Sequence, residues 1–313
     1  MPMREHRYVF GPVPSRRLGR SLGVDLVPFK TCSYDCIFCQ LGRTTRKTIE
    51  RKEYVPVKDV LSELRSSLSE GSLPDYVTLS GSGEPTLHSR LEELILGIKN
   101  LTRIPLAVLT NGSLLFDPEV RHSLDRADVV IPSLDAGDDR LFQHVNRPHP
   151  DLSFSRMVEG LRSFRRDFSR QIWLEVFLIA GVTDIRAEAE KIASLARETF
   201  PDRIHLNTVE RPPAESCALP VPKNTLEHLA ALFDPRAEVI TGLEASTSIE
   251  AKYVTAKDIL AVLARRPCTV EDIAEGLGMR MAEAVKWLSS LEASGMVEVV
   301  YQDGRRFHVA AYH

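Results

Sequence analysis

Cys32, Cys36 and Cys39 fall in the stretch TCSYDCIFCQ (residues 31–40) and make up three of the chain's five cysteines. Their spacing is C-x3-C-x2-C. Thiolate sulfur is a soft ligand that suits zinc or an iron–sulfur cluster. A structural zinc ion takes four protein ligands, and Cys217 and Cys268 lie far along the chain without paired spacing. A disulfide framework uses cysteines in pairs. Three thiolates on a cubane [4Fe–4S] cluster leave one iron open, so the count points to a cluster whose missing ligand comes from a cofactor. A zinc knuckle or redox thiols are the alternatives.

The chain that must position these residues has 313 residues, 43% of them apolar and 27% charged, as in an ordinary globular protein. That length holds one large core plus a small appended domain, or two medium ones. A net charge of −3 gives no global attraction to nucleic acid, so any such contact needs a local basic patch. The start, MPMREHRYVF, has neither the apolar core nor the cleavage site of a signal peptide. The most apolar stretch, IWLEVFLIAGV, is too short to span a bilayer and contains Glu175. These features lead us to expect a cytoplasmic protein that does not associate with membranes. In that reducing compartment a cysteine cluster reads as metal or redox chemistry.

From about residue 21 to 243, apolar strand-like runs alternate with segments of helical period. SLGVDLVP precedes the cysteines. After them Val57, Val60, Leu61, Leu64 and Leu68 share one helical face. The strand DYVTLSG leads to a helix carrying Leu91, Leu94, Ile95, Ile98 and Leu101. PLAVLTNG is followed by a short helix with Pro118 in its first turn. DVVIPSLDA leads to a helix marked by Phe154, Met157, Val158, Leu161 and Phe168. QIWLEVFLIAGV leads to one with Ala189, Ile192, Ala193, Ala196 and Phe200. RIHLNTVE precedes NTLEHLAALF, which opens on an Asn224-x-x-Glu227 capping box, and AEVITGL is the last strand. Near-continuous apolar strands belong to a parallel sheet buried on both faces. Right-handed crossovers then give a closed or partial β/α barrel, or a doubly wound sheet. Functional loops lie at the C-terminal strand ends in either case, where the cysteines, GSGEPT, TNG and SLDAGD all fall.

Residues 247–313 read differently. Thr255 with Asp258, and Thr269 with Asp272, are successive helix starts. A third helix carries Met281, Ala284, Val285, Leu288 and Leu291 and stops at Gly295. MVEVVY and RRFHVAAY form a hairpin about Asp303-Gly304. Three helices and a hairpin make a winged helix-turn-helix. Arg280, Lys286, Arg305, Arg306 and His308 give it a modest nucleic-acid footprint, set against Glu283, Glu292 and Glu298. The division is therefore 1–246, with an N-terminal extension over 1–20, and 247–313.

C-x3-C-x-φ-C, with Phe38 as φ, in the loop after the first strand of a β/α protein resembles the radical S-adenosylmethionine (SAM) superfamily. Ser82-Gly83-Glu84-Pro85 after the next strand matches that family's Gly-Gly-Glu-Pro element, with Ser82 in place of its first glycine. The resemblance covers about residues 20–210 and implies a partial (β/α)6 barrel with one cluster, ligated by Cys32, Cys36 and Cys39, whose open iron chelates SAM. It implies that Ser82, Gly83, Glu84 and Pro85 contact the SAM amino group. Ser133 and Asp135 become candidates for its carboxylate and ribose hydroxyls, with Asn111 nearby, while Tyr34 and Phe38 shield the cluster and flank the adenine. The longer runs GPVPSRRLGRSLGVDLVPFKTCSYDCIFCQLGRT and LNTVERPPAE are similar to the wyosine-synthetase-like and molybdenum-cofactor-protein-A-like group. Wyosine chemistry implies a Schiff-base lysine and a second cluster. Lys30 alone lies beside the motif, and no second cysteine group exists.

The implied reaction is reductive cleavage of SAM to a 5′-deoxyadenosyl radical that takes hydrogen from a substrate. An external one-electron donor such as flavodoxin or ferredoxin is needed. Glu175, inside an apolar strand, either faces the interior as a catalytic candidate or pairs with an arginine. His144, Asn146 and Arg147, in a loop after the fourth strand, are further candidates for substrate contact. Arg16 and Arg17 either reach an anionic substrate or sit on the surface. RNA, as in tRNA base modification, leads as the substrate class. A peptide or protein docked by the winged helix is the alternative, and a non-catalytic iron–sulfur regulator that binds DNA is a third reading.

Overall fold

The structure, a computed structural model, describes residues 8–70, 73–240 and 254–311. It opens on an antiparallel pair, β1 (Val9–Ser15) and β2 (Gly19–Val24), followed by the two-residue strands β3 (Thr31–Cys32) and β4 (Arg46–Lys47) that clip the cysteine segment together. Then come α1 (Val57–Glu70), β5 (Tyr76–Leu79), a 3-10 turn (Pro85–Leu87), α2 (Leu91–Leu101), β6 (Leu106–Thr110) and α3 (Pro118–Ser123). Next are β7 (Val129–Pro132), α4 (Asp139–Val145), α5 (Phe154–Asp167), β8 (Gln171–Leu178), α6 (Arg186–Glu198), β9 (Arg203–Thr208), α7 (Lys223–Ala230) and β10 (Glu238–Val239).

Eight strands form one sheet in the order β1-β2-β5-β6-β7-β8-β9-β10, parallel throughout except for β1 against β2. The six parallel strands β2 and β5 to β9, each followed by helix, are the expected partial barrel. No ladder joins the two edges among the described residues. Instead Arg16, in the turn after β1, spans the gap: its Nη1 donates to the Ile240 carbonyl at 2.9 Å and pairs with Glu210 at 2.8 Å.

The period-3.6 faces land where the pattern puts them. Val57, Val60 and Leu64 of α1 and Leu91, Leu94, Ile95 and Ile98 of α2 are buried against the outer face of the sheet, with Val77, Leu79, Val108 and Val130 opposite. Each such side chain contributes about 1.5–3 kcal/mol by leaving water. The alternate strand residues turn inward. Leu18, Ala107, Val129, Ile131 and Trp173 plug the barrel floor, and His205 meets Trp173 edge-on with centroids 5.6 Å apart.

Several boundaries differ from the pattern. Residues 9–15 are an edge strand rather than part of an extension, because β1 completes the ladder of β2. Helix α7 starts at Lys223 with Pro222 at its N-cap, so the capping box at Asn224 does not form and its Oδ1 turns to the Thr225 amide instead. Phe200 lies beyond α6 with a φ of 44° and is 73% exposed, so it packs on no helix face. Phe142 to Val145 belong to α4 rather than to a loop. The last strand is only β10, and residues 241–243 lie outside those described.

Beyond it stand α8 (Ala256–Leu263), α9 (Val270–Leu277), α10 (Met281–Ala293), β11 (Val297–Gln302) and β12 (Arg305–Ala310). Both threonine–aspartate capping boxes form. Asp303 and Gly304 have φ of 48° and 73°, as the tight hairpin turn requires. The apolar centre of this unit takes in Phe10 and Val13 of β1 beside Ile259, Ile273, Leu288 and Leu291. Gly276 lets α9 meet Pro14: a Cβ there would lie 2.7 Å from the proline ring. The C-terminal elements are thus packed on the edge strand of the barrel. Among the described residues no helix is long and apolar enough to cross a membrane.

His205 yields a test of the floor. Burial, with Arg17 and Arg203 adding to it, lowers its pKa from 6.5 to about 3. As pH falls below 6.5 the unfolded chain binds a proton that the folded one refuses, so stability drops until pH 3. Between pH 7.5 and 5 this single site costs ~2 kcal/mol. Urea unfolding of His205→Leu should show a pH-dependent loss smaller by that amount; equal losses would show that His205 is not held neutral.

Candidate functional site

The three cysteines sit in a turn fastened from several sides. Ile37 is buried among Val145, Ile179, Val209 and Ala218, and its amide donates to the Val145 carbonyl at 3.0 Å. Asp35 holds the return of the turn by accepting from the Thr44 amide at 2.7 Å. The Cys39 amide donates to the Cys36 carbonyl at 3.2 Å. The thiols are half-buried, and each has one N–H donor. Asn111 Nδ2 lies 3.5 Å from Cys32 Sγ, Asn146 Nδ2 3.5 Å from Cys36 Sγ, and Lys30 Nζ 3.1 Å from Cys39 Sγ. Burial, with Glu84 next in size, pushes the Cys32 thiol up to about 12. Burial and Asp135 push Cys36 up as well. Reactive redox thiols show the opposite shift.

The Ser82–Pro85 segment lies against this turn. A Cβ on Gly83 would come 1.8 Å from the Thr31 carbonyl oxygen, so only glycine allows the approach. The Glu84 amide donates to that same carbonyl at 3.2 Å. Ser82 is pinned from behind by Asp25, which accepts from its amide at 3.0 Å and from its hydroxyl. The Glu84 carboxylate caps the 3-10 turn that begins at Pro85. Its Oε1 accepts from the Thr86 amide at 3.0 Å and from the Thr86 and Thr110 hydroxyls at 2.6 Å each, while Oε2 accepts from the Asn111 amide at 2.7 Å. Oε1 is filled, and Oε2 is the oxygen able to take one more donor.

Asn111 therefore joins the Glu84 loop to Cys32, and its Nδ2 also reaches Ser33 Oγ at 2.8 Å. Ser133, just past β7, is half-buried and bridges to Glu175 of β8. Asp135 accepts from Asn146 Nδ2 at 2.9 Å and from the Phe177 amide at 3.1 Å, and burial raises its carboxyl to about 6. Asn146, read as a substrate contact, is instead the link between Asp135 and Cys36. Phe38 stacks on Phe177 with centroids 4.1 Å apart. Tyr34 is only 2% exposed and meets Phe142 edge-on, so it backs the turn from inside the core and has no face free for an adenine.

Two catalytic candidates are displaced. His144 sits exposed on α4, because that segment is helical and turns it outward. Arg147 is tied to Glu215 at 2.8 Å and is not in the wall of the cavity beside Cys39. Glu175 does face inward, paired with Arg17 and accepting from Asn207 Nδ2 at 3.3 Å. The basic footprint on the C-terminal unit shrinks too. His308 is 2% exposed against Glu292, and Arg306 is held by Glu292 at 2.6 Å, which leaves Arg280, Lys286 and Arg305.

A cavity of about 380 Å³ opens beside Phe38, Cys39 and Gly83. Its wall is formed by inward residues of the strands, such as Ser21, Thr78, Glu175 and Asn207, and by Arg16, Arg17, Arg211, Arg265 and Arg266. The last two come from the C-terminal unit. Sequence reasoning missed them, since two arginines before a proline read as an ordinary helix end. It also missed Asp25, although a lone acid in the apolar run GVDLVP was a signal of the same kind as Glu175.

The donor set fits a cubane. Among the described residues no group of three His, Cys, Asp or Glu side chains gathers closely enough for a single ion. A cluster spreads its thiolates over separate irons, so the sulfurs need not meet at one point. Cys32, Cys36 and Cys39 with their three N–H donors satisfy that arrangement.

Comparisons with known proteins agree. The family profile described as "Radical SAM superfamily" matches residues 26–196. A UPF0026 protein of Methanocaldococcus jannaschii is 33% identical over 273 residues, covering 85% of this chain and 84% of its own. A protein named GTPase Obg from Brachyspira hyodysenteriae is 38% identical over 292 residues, 92% of this chain, yet the match spans only 43% of that longer protein. Among solved structures, a radical SAM methyltransferase from Sphaerobacter thermophilus aligns with a TM-score of 0.52 and 20% identity, over 70% of this chain and 65% of that one. Streptococcus suis SuiB aligns with a TM-score of 0.52 and 19% identity, over 72% and 50%. At such identities the likeness is one of fold.

The close approach at Gly83 can be tested directly. Gly83→Ala should force the two loops apart at a cost of about 1–3 kcal/mol. Circular dichroism should still report a folded protein with a lowered Tm, and anaerobic reconstitution should leave less than half the wild-type iron. Full iron at an unchanged Tm would mean that the loops tolerate separation.

Proposed function

The chain belongs to the radical SAM superfamily and, within it, to the UPF0026 proteins, and from that membership we propose that it is an enzyme acting on a substrate held in the cavity beside Cys39. The observation that carries the reading is the cysteine turn, in which each of three half-buried thiols has its own N–H donor and a cavity adjoins it. When bound, a [4Fe–4S] cluster with SAM supplies a 5′-deoxyadenosyl radical by one-electron reduction, which calls for a donor such as flavodoxin or ferredoxin.

The residues of the chain divide the remaining work. Cys32, Cys36 and Cys39 hold the cluster, and hydrogen bonds to their sulfurs from Asn111, Asn146 and Lys30 tune it. Glu84 holds Thr110 and the Asn111 amide in place beside the turn, keeping Oε2 for an amino group. Asp135, set by Asn146, is placed for a ribose hydroxyl. The stacked pair Phe38–Phe177 closes the apolar side and excludes water, as radical chemistry demands.

For the substrate we keep RNA as the leading class. Arg280, Lys286 and Arg305 of a winged-helix-like unit supply basic groups, and the neighbouring cavity is rich in arginine. A peptide substrate would use the same unit as a clamp. The packing of that unit on β1, with its core shared by Phe10 and Val13, weighs against a freely reading DNA regulator.

Anaerobically reconstituted protein with dithionite and SAM should release 5′-deoxyadenosine, and Cys39→Ala should lose most iron and all of that release. Retention of both by Cys39→Ala would sink the assignment. For the substrate class, RNA binding should weaken steeply between 50 and 200 mM salt, roughly tenfold or more for three phosphate contacts; salt-independent binding would favour the peptide.

A further inference from the structure

We infer that the substrate carries an oxyanion, a phosphate or carboxylate group, into the cavity beside the cysteine turn, and that Arg266 of the C-terminal unit receives it. The inference rests on the reading of this cavity as the substrate site, though the anion contact is measurable without turnover.

The argument is a charge census of the wall. Five guanidinium groups line the cavity. Four have a carboxylate: Arg16 with Glu210 at 2.8 Å, Arg17 with Glu175, Arg211 with Asp272 at 3.5 Å and Arg265 with Asp25 at 3.2 Å. Arg266 has none among the described residues. Its Nη1 donates to the Pro14 carbonyl at 3.2 Å and its side chain lies beside the Cys268 thiol, while Nε and Nη2 are buried with no oxygen to donate to. A buried guanidinium without a counter-charge is strongly destabilising, so this one calls for a partner supplied from outside the chain.

The two unpartnered atoms specify the partner's shape. Nε–H and Nη2–H lie on one edge of the guanidinium and form the side-on fork that takes two oxygens of a carboxylate or phosphate. A single carbonyl or hydroxyl would fill only half of it. The backbone that carries Arg266 is fixed in place. Pro267 follows it, the Pro267 carbonyl accepts from Arg211 Nε at 2.9 Å, and the Cys268 amide and carbonyl pair with His308 at 3.0 and 2.7 Å. At about 380 Å³ the cavity suits a small molecule or one residue of a larger one, with Cys39 and Phe38 in the same wall.

Reconstituted holoenzyme is titrated calorimetrically with inorganic phosphate and, separately, with succinate. The comparison covers wild type, Arg266→Gln, Arg266→Lys and, as a control for surface charge, Arg126→Gln on the exposed end of the loop after α3. Wild type should bind one equivalent of at least one probe, and the tighter probe identifies the group. Arg266→Gln should weaken that binding tenfold or more. Arg266→Lys, which keeps the charge but loses the fork, should fall between, and Arg126→Gln should match wild type. Because an uncompensated cation is removed, the Tm of Arg266→Gln without anion should equal or exceed that of wild type. Should that variant fail to fold, Arg266→Lys decides. Equal affinity in the Arg266 variants, or no anion binding by wild type, overturns the proposal. So does a parallel tenfold loss of SAM affinity, which would assign the fork to the carboxylate of SAM itself. Release of 5′-deoxyadenosine by wild type separates any of these failures from failure of the radical SAM reading.

Discussion

One buried carboxylate holds the architecture of the site together. Asp25 follows β2, at the threshold of the cysteine segment, and is 6% exposed. It accepts from the amide and hydroxyl of Ser82 and from Nε of Arg265 at 3.2 Å. Three separate stretches of chain therefore meet on two oxygens: the approach to the cysteines, the Gly83–Glu84 loop and the end of α8. Burial pushes this carboxyl upward, and Arg265 opposes the shift. Removing either partner leaves the other charge stranded in a low-dielectric setting. The geometry at Gly83 depends on it, since Ser82 must stay pinned for Gly83 to rest against Thr31.

The same logic governs the thiols. Burial in the cysteine turn disfavours the thiolate forms of Cys32 and Cys36. On the proposed reading, negative charge would arrive there together with the metal cations that balance it. The N–H donors come from three places: Lys30 just before Cys32, Asn111 in the loop after β6 and Asn146 at the C-cap of α4. Each of these residues also makes a second contact. Asn111 bonds Ser33, Asn146 bonds Asp135, and the Lys30 amide donates to the Ser82 carbonyl at 2.7 Å. The cysteine turn is thus positioned by the barrel's loops together with bonds inside its own segment.

That division explains what could be read from the sequence. Helix faces such as Leu91, Leu94, Ile95 and Ile98, and strands such as DVVIP, were legible because burial imposes a period on one stretch of chain. The cysteines were legible because their spacing is local. The Gly83–Glu84–Pro85 element was visible as a motif, but the reason for its glycine was not, since the opposing atom is the Thr31 carbonyl from another loop. His144 was read as a loop residue because a seven-residue helix, α4, gives too short a pattern to set its register. Arg265 and Arg266 were invisible as site residues. Their partners Asp25 and Pro14 lie about 240 residues earlier in the chain, and no local pattern reports a contact at that separation.

The origin of those arginines has a consequence for the order in which the site forms. The cavity wall is complete only when α8 and α9 rest on β1, through Phe10, Val13 and the approach of Gly276 to Pro14. The barrel alone would present Asp25 without Arg265 and would lack the cation at Arg266. Seating the C-terminal unit on β1 therefore completes a wall to which the barrel already contributes Arg16, Arg17 and Arg211. A substrate anion that engages Arg266 binds only this assembled state, so it stabilises the seating of the C-terminal unit by mass action. By reciprocity, contacts that loosen the unit weaken substrate binding by the same factor. Such coupling ties occupancy of the cavity to the state in which its wall is whole.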